Sequence, residues 1–205
     1  MRQGSPEWFA ARCGCIGASI VADVIATIKG GEAASRANLR ARLVVERLTG
    51  QPQETYTNGA IQWGTETEPE ARAAYECATG EMVDEVGWIP HPVIAGSGCS
   101  PDGMVGDAGL LEIKCPGSSA HLRTLLDRVA PSKYIPQMQW QMACTGRAWC
   151  DFVSYDPRMP EHLRLFVVRV ERDEAMIAKL EHEVAALLVE VQAMIDRLSE
   201  VTPAA

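Results

Sequence analysis

Toward the end of the chain Ile177, Leu180, Val184, Leu187, Leu188, Val191 and Ile195 recur every three or four positions among charged residues. That spacing puts the apolar side chains on one face and predicts an amphipathic helix from about Asp173 to Leu198. Leu39, Leu43, Val44 and Leu48 do the same between Ser35 and Leu48, with Gly50 and Pro52 as the stop. SPEWFAAR begins a short helix with Ser5 as N-cap, Pro6 at the first position and Glu7 in the first turn. ASIVADVIA, after Gly14 and Gly17, reads as a second helical segment with Ser19 near its N-terminus, where free backbone N–H groups favour an anion. The segment from Trp63 to Gly80 reads as a helix entered through Pro69 with Glu68 at its start, and KYIPQMQWQMACTG as one stopped by Gly146. Between these lie short strands broken by Gly and Pro, a GDAG hairpin turn, and two longer strands, AWCDFVSYDP and LRLFVVRV, around the Asp156–Pro157 turn. The order predicts an α/β protein in which helices flank a small sheet.

At 205 residues with 47% hydrophobic content, the chain is long enough to bury a core as a single domain. Its division is expected to be a helical portion over 1–60 and the remainder over 61–205. No run of about 18 uncharged apolar residues occurs, and MRQGSPEWFAAR lacks an apolar signal core, so a cytoplasmic address and no membrane are expected. Seven cysteines without a C-x-x-C pair suggest free thiols rather than a disulfide framework, a zinc site or an iron–sulfur cluster. The net charge of −8 excludes a general nucleic-acid coat. Any contact with DNA must rest on local charge, and Arg36, Arg40, Arg42, Arg47, Arg123, Arg128 and Lys133 are the candidates. Ordinary solvated helix faces are the competing account of these residues.

The chemistry concentrates in SPDGMVGDAGLLEIKCPG, Ser100 to Gly117. Side chains alternate along LLEIK, so Leu110, Glu112 and Lys114 share one face. Asp102 lies across a hairpin from them, close enough in an antiparallel pair to converge on the same point. Two carboxylates there repel unless a cation lies between them, and a hard divalent ion such as Mg²⁺ takes oxygen ligands of this kind. A lysine beside it can hold the attacking water as hydroxide or offset charge on a phosphoryl group. Asp, Glu and Lys together suit phosphodiester hydrolysis. An E-x-K triplet alone more often marks an exposed strand pair; S-P-D-G at hairpin distance strengthens the reading as a site.

The pattern S-P-D-G followed about ten residues later by L-E-I-K-C-P resembles the PD-(D/E)xK nucleases, and among them the lambda-type exonucleases also grouped as YqaJ-like. The resemblance extends over most of the chain: E-W-x-x-x-R with G-C-I-G-A-S upstream, the acidic helix W-G-T-E-T-E-P-E-A-R-A-A-Y-E, then Y-I-P-Q-M-Q-W-Q-M, Y-D-P-R-M and V-V-R-V-E-R-D-E. It implies a restriction-endonuclease-like core and a Mg²⁺ site, with Mn²⁺ able to substitute. Asp102, Glu112 and the carbonyl of Ile113 would bind the metal. Lys114 would assist the nucleophilic water, with Glu68 and Gln137 supporting the site and Gln139 and Gln141 as neighbours. Arg12, Ser19 and Ser100 would receive a terminal 5′-phosphate. The implied activity is 5′→3′ digestion of one strand of duplex DNA from 5′-phosphorylated ends, by a ring-shaped homotrimer that works with a single-strand annealing protein. Rival readings are an endonuclease that shares the acids and lysine but needs no phosphate pocket, and a DNA-end-binding module without catalysis. His91 and His121 read as satisfied histidines, and Trp63, Trp88, Trp140 and Trp149 as packing. The segment with Lys29, Gly30 and Gly31, and Arg72, are further candidates for DNA contact.

Overall fold

The computed structural model describes residues 1–29, 31–53 and 59–201, Ile61 by its backbone alone. Of the glycine pair after Lys29, Gly30 lies outside the described residues. Helix α1 (Pro6–Arg12) starts as predicted, with Ser5 Oγ accepting the Trp8 N–H at 3.3 Å. Strand β1 (Ile16–Gly17) leads into ASIVADVIA, which is not one helix but a 3₁₀ turn over Ala18–Ile20 and a single helical turn, α2 (Val21–Val24). Its β-branched residues favour extended backbone as much as helix, and the chain passes on into β2 (Thr27–Ile28), paired with β3 (Gly31–Glu32). Helix α3 (Ala34–Thr49) ends at Gly50, whose φ of +65° closes the last turn.

Helix α4 (Gly59–Thr79) departs from the expectation that Pro69 opens it: Pro69 sits inside. A proline there forgoes one backbone hydrogen bond, and packing overrides that loss, because Ala71 and Tyr75 on the following turns are wholly buried. Strands β4 (Val83–Asp84), β5 (Ile89–Pro90), β6 (Ser97–Cys99), β7 (Gly103–Val105) and β8 (Gly109–Lys114) follow. After β8 comes α5 (Ser118–Asp127), a helix that the apolar pattern does not announce. Its buried face carries His121 and Thr124 while Leu122 and Leu126 face solvent. Helix α6 (Ile135–Thr145), strands β9 (Trp149–Tyr155) and β10 (Leu165–Glu171), and the long α7 (Glu174–Ser199) complete the chain, α7 capped by Asp173 Oδ1 on the Met176 N–H at 3.0 Å.

The central sheet has the order β10-β9-β8-β7-β4 and is mixed, with β8 parallel to β9 and the other pairs antiparallel. The parallel pair requires a crossover, which α5 and α6 supply. A second sheet, β1-β6-β5, holds β1 parallel to β6. Alternation along β8 splits the core as expected. Leu110 packs with Met138 and Met142 of α6, whereas Leu111 and Ile113 pack with Ala71 and Tyr75 of α4. The apolar faces of α3 and α7 meet in a third cluster around Leu43, Leu180, Val184 and Leu187. His91 (Nε2 to Glu181, 3.2 Å) and His121 (Nδ1 to Ser154, Nε2 to the Leu163 carbonyl, both 2.7 Å) are buried and satisfied, and the cysteines are free. Among the described residues no helix is long and apolar enough to cross a membrane.

Leu111 is fully buried under α4, so Leu111→Ala is expected to cost about 2–5 kcal/mol of unfolding free energy, while Leu122→Ala, on the solvent side of α5, stays within about 0.5. Urea denaturation of the two variants checks this placement of the core.

Candidate active site

The hairpin register brings the acids together. Gly103 pairs with Leu111, so one residue further along each strand Asp102 stands across from Glu112. Asp102 Oδ2 accepts the Ile113 N–H at 2.7 Å, which ties the aspartate to the strand that carries the glutamate. The Glu112 side chain is wholly buried, and each of its oxygens has a partner. Oε1 accepts from Gln137 Nε2 at 2.6 Å and pairs with the Lys114 ammonium; Oε2 accepts from Gln141 Nε2 at 2.6 Å. Gln137 and Gln141 are one turn apart on α6 and therefore point the same way. Gln141, secondary to Gln137 in the sequence reading, is its equal here. Gln139 points elsewhere: it donates to the Glu171 carbonyl and accepts from the Asp173 N–H, at 2.8 Å each, and so anchors the start of α7.

Burial, and after it the Glu112 charge, pushes the Asp102 carboxyl well above its usual range. Burial would lower Lys114, but the charges of Glu112 and Asp102 prevail and hold its ammonium above its ordinary value. Glu68, on α4, joins the same cleft of about 750 Å³. Burial raises its carboxyl in spite of Arg72, whose Nη2 donates to Glu68 at 2.7 Å and to the Asp102 carbonyl at 3.3 Å. Arg72 also pairs with Glu85 at 3.0 Å and so braces the site instead of presenting a free cation to DNA.

Two residues of the cleft wall escape sequence reasoning. Trp63, read there as packing, lines the cleft, and the Arg158 guanidinium lies 4.5 Å from its ring centroid. Asp156, fully buried, grips that guanidinium with both oxygens at 2.7 and 3.0 Å. The Y-D-P-R turn was the only signal available for Arg158. Of the other tryptophans, Trp140 is core, Trp149 stacks with Arg169 (3.4 Å), and Trp88 flanks Arg12.

Arg12 and Ser100 meet through Trp8. The Arg12 guanidinium sits 3.9 Å from the Trp8 ring centroid, and Trp8 Nε1 donates to Ser100 Oγ at 2.9 Å. Arg12 donates to no acceptor among the described residues, and burial followed by the charge of Arg42 lowers its pKa. Ser19 is exposed on the 3₁₀ turn. The parallel pairing of Gly17 with Gly98 sets Ser19 and Ser100 two residues beyond corresponding points of adjacent strands. Arg36 and Arg40 are committed to Glu32 and Glu190 in an ion-pair network.

Among the described residues no three His, Cys, Asp or Glu side chains form a cluster able to hold a metal by themselves. The donors at hand are the carboxylates of Asp102 and Glu112 and the Ile113 carbonyl. All are hard oxygens, and two carboxylates sharing a buried site fit a divalent cation. An acid whose folded pKa is raised binds a proton that the unfolded chain has already released, so it destabilises the fold as pH rises above the unfolded value. Asp102→Asn should therefore melt at a higher temperature than the parent at pH 8 in chelator, and the gain should vanish near pH 4; a lower melting temperature at pH 8 would contradict the electrostatic account.

Residues 7–148 match the model of the YqaJ-like viral recombinase domain. An alkaline exonuclease from Laribacter hongkongensis, LHK-Exo, is 54% identical, with a TM-score of 0.89 over 95% of this chain and 96% of that one; its complex with dAMP superposes equally well. A phage-related exonuclease from Haemophilus somnus 129PT is 16% identical with a TM-score of 0.74 over 90% and 96% of the two chains, a likeness of fold alone. No curated protein matches. The mixed sheet with its flanking helices is a restriction-endonuclease-like core, and with the family's model matching well over half of its length the chain belongs to the YqaJ-like viral recombinase family.

Proposed function

We propose that the protein is a Mg²⁺-dependent exonuclease of the PD-(D/E)xK type that digests one strand of duplex DNA in the 5′→3′ direction from 5′-phosphorylated ends, leaving 3′ single strands for recombination. The observation that carries this reading is the buried Glu112, held by Gln137, Gln141 and Lys114 beside Asp102. The 54% identity to an alkaline exonuclease supports it.

Mg²⁺ held by Asp102, Glu112 and the Ile113 carbonyl would supply Lewis acidity and lower the pKa of a bound water. The two glutamines fix the Glu112 carboxylate without adding charge, so its rotamer is set before substrate arrives. Lys114, kept protonated by its carboxylate neighbours, stands where it can offset negative charge gathering on the phosphoryl oxygens. Glu68 completes the acidic rim. Arg12, with Ser100 and Ser19, would take the terminal phosphate, its forked donors matching the anion. Only Pro101 separates Ser100 from Asp102, and two residues of extended chain reach at most about 7 Å, the scale of one nucleotide step. Holding the terminal phosphate in the Arg12 pocket thus presents the next phosphodiester to the acids. Water oxygen bonds to that phosphorus as its bond to the 3′ oxygen breaks; the 3′ oxygen takes up a proton and leaves with the mononucleotide, and the strand keeps a new 5′-phosphate. A ring of three copies with DNA inside would reconcile the net charge of −8 with DNA binding, since only the inner wall need be basic, and an annealing protein would receive the exposed strand.

Glu112→Gln is expected to lower cleavage of a linear duplex at least about 10²-fold, and excess chelator to abolish it in the parent. Gel assays that include a closed circle separate the alternatives: nicking of the circle would favour an endonuclease, and loss of neither substrate a binding module.

Direction is checked at the ends. A duplex with 5′-hydroxyl termini forfeits at least one charge-assisted hydrogen bond of roughly 1.5–3 kcal/mol, so its degradation should begin at least about ten-fold more slowly. Arg12→Ala should reproduce that defect on phosphorylated ends and add little on hydroxyl ends, because the two changes remove one interaction.

A further inference from the structure

Arg42, on α3, lies near enough to Arg12 for its charge to be felt there. Arg42 projects from α3 one turn before Glu46, and Glu46 reaches the loop that follows Arg12: its Oε2 accepts the Gly14 N–H at 2.9 Å. The same carboxylate accepts the Gln53 N–H through Oε1 at 3.2 Å. Arg42 Nε stands 3.7 Å from Glu46 Oε1, too far for a hydrogen bond, and it is buried without a partner. Arg47, next to Glu46 on α3, differs: its Nε donates to the Gly14 carbonyl at 2.9 Å. One glutamate, already occupied by two backbone amides, thus serves a pair of arginines whose guanidinium groups find no acceptor among the described residues, Arg12 on its tryptophan and Arg42 on α3. The repulsion between them is felt at Arg12. Leaving a buried donor unmade and a like charge uncompensated is costly, and an anion placed between the two groups would offset both costs.

We infer that Arg42 is the second cation of the terminal-phosphate subsite, so that a phosphomonoester dianion is received by two guanidinium groups, Arg12 from α1 and Arg42 from α3. The inference rests on the phosphate-pocket reading of Arg12 and goes further in assigning the anion's second charge. An internal phosphodiester carries one negative charge and a terminal phosphate close to two at pH 8. A pair of arginines therefore favours the end of a strand over its interior, whereas Arg12 alone would distinguish them less.

The test is binding without turnover. Short duplexes with 5′-phosphate or 5′-hydroxyl ends are titrated with parent, Arg42→Gln and Arg42→Lys in chelator and followed by fluorescence anisotropy, with thermal melting as the check on folding. The parent is expected to prefer the phosphorylated duplex. Arg42→Gln should weaken binding of that duplex about ten-fold or more and leave the hydroxyl duplex within about two-fold, and Arg42→Lys should fall between, retaining charge without the fork. A parent indifferent to the phosphate would remove the pocket itself, and the inference with it. A parent that discriminates, alongside a glutamine variant that discriminates equally well, would overturn the role of Arg42 and leave the Arg12 pocket standing. Equal loss on both duplexes would make Arg42 a general backbone contact and likewise overturn the inference. Should the glutamine variant melt early, the lysine variant decides: undiminished discrimination there overturns the fork, and reduced discrimination supports it.

Discussion

The constraint on which the site depends is the enclosure of one carboxylate. Glu112 lies on the central strand of a five-stranded sheet with no exposure to water, and an anion in that position is tolerable only where each oxygen has a donor. The donors come from three places: Lys114 two residues on along the same face, and Gln137 and Gln141 one turn apart on the helix that covers it. The placement of α6 follows from this as much as from Met138 and Met142 beneath it. Glutamines suit the task because amide donors satisfy the carboxylate without cancelling its charge, which stays available to a cation. Asp102 is bound to the Ile113 amide, and burial, then Glu112, hold its carboxyl above the normal range, so a cation beside it would be favoured.

The second sheet ties the residues proposed for end recognition to the candidate catalytic ones through the backbone. Strand β6 pairs with β1 on one side, runs through Ser100 and Pro101 to Asp102, and continues as β7 against β8. One continuous segment therefore carries a residue of the proposed phosphate pocket and a candidate metal ligand, and the spacing between them cannot drift without distorting both sheets. Gly98 marks how tightly this junction is packed: a Cβ there would lie 2.5 Å from the Ile89 carbonyl and 2.6 Å from the Trp88 ring. The tryptophan that forbids a side chain at Gly98 also flanks the Arg12 guanidinium.

Much of this was legible in the sequence where burial and chemistry obey short-range rules. Alternation placed Glu112 and Lys114 on one face of β8, hairpin spacing placed Asp102 opposite, and the three-to-four spacing of α3 and α7 gave their contact. What escaped was decided by tertiary context. Helix α5 hides His121 and Thr124 and exposes its leucines, the reverse of what periodicity assumes. Pro69 reads as a first-turn residue, yet the packing of Ala71 and Tyr75 carries α4 through it. Gln141 has the same local sequence character as Gln139, and only the rotation of α6 decides that one faces Glu112 and the other α7. Trp63 belongs to the cleft because its helix begins before Pro69, which local signals do not show.

The commitments of the arginines explain how an acidic protein can address DNA. Arg36 and Arg40 share Glu32 and Glu190; Arg158 is gripped by Asp156, Arg169 by Asp151 and Arg72 by Glu68 and Glu85. Each such pair spends its fork on a carboxylate and keeps little attraction for a phosphate at a distance, so the number of arginines overstates what a strand would feel. Arg12 and Arg42 differ from these: neither guanidinium has a hydrogen-bonded carboxylate, and both belong to the proposed end-recognition pocket. Lys114 is bound to Glu112, yet it lies in the cleft itself, where the reacting phosphate would displace water from around it. Arg47, Arg147 and Arg164 also lack a carboxylate but spend donors on backbone carbonyls, whereas Arg12 and Arg42 keep theirs for the terminal phosphate of the proposed pocket, and the chain's net charge of −8 opposes a strand lying across the outer surface. On the proposed reading such an affinity is for ends, and it depends on where the unpaired cations stand as well as on how many the chain contains.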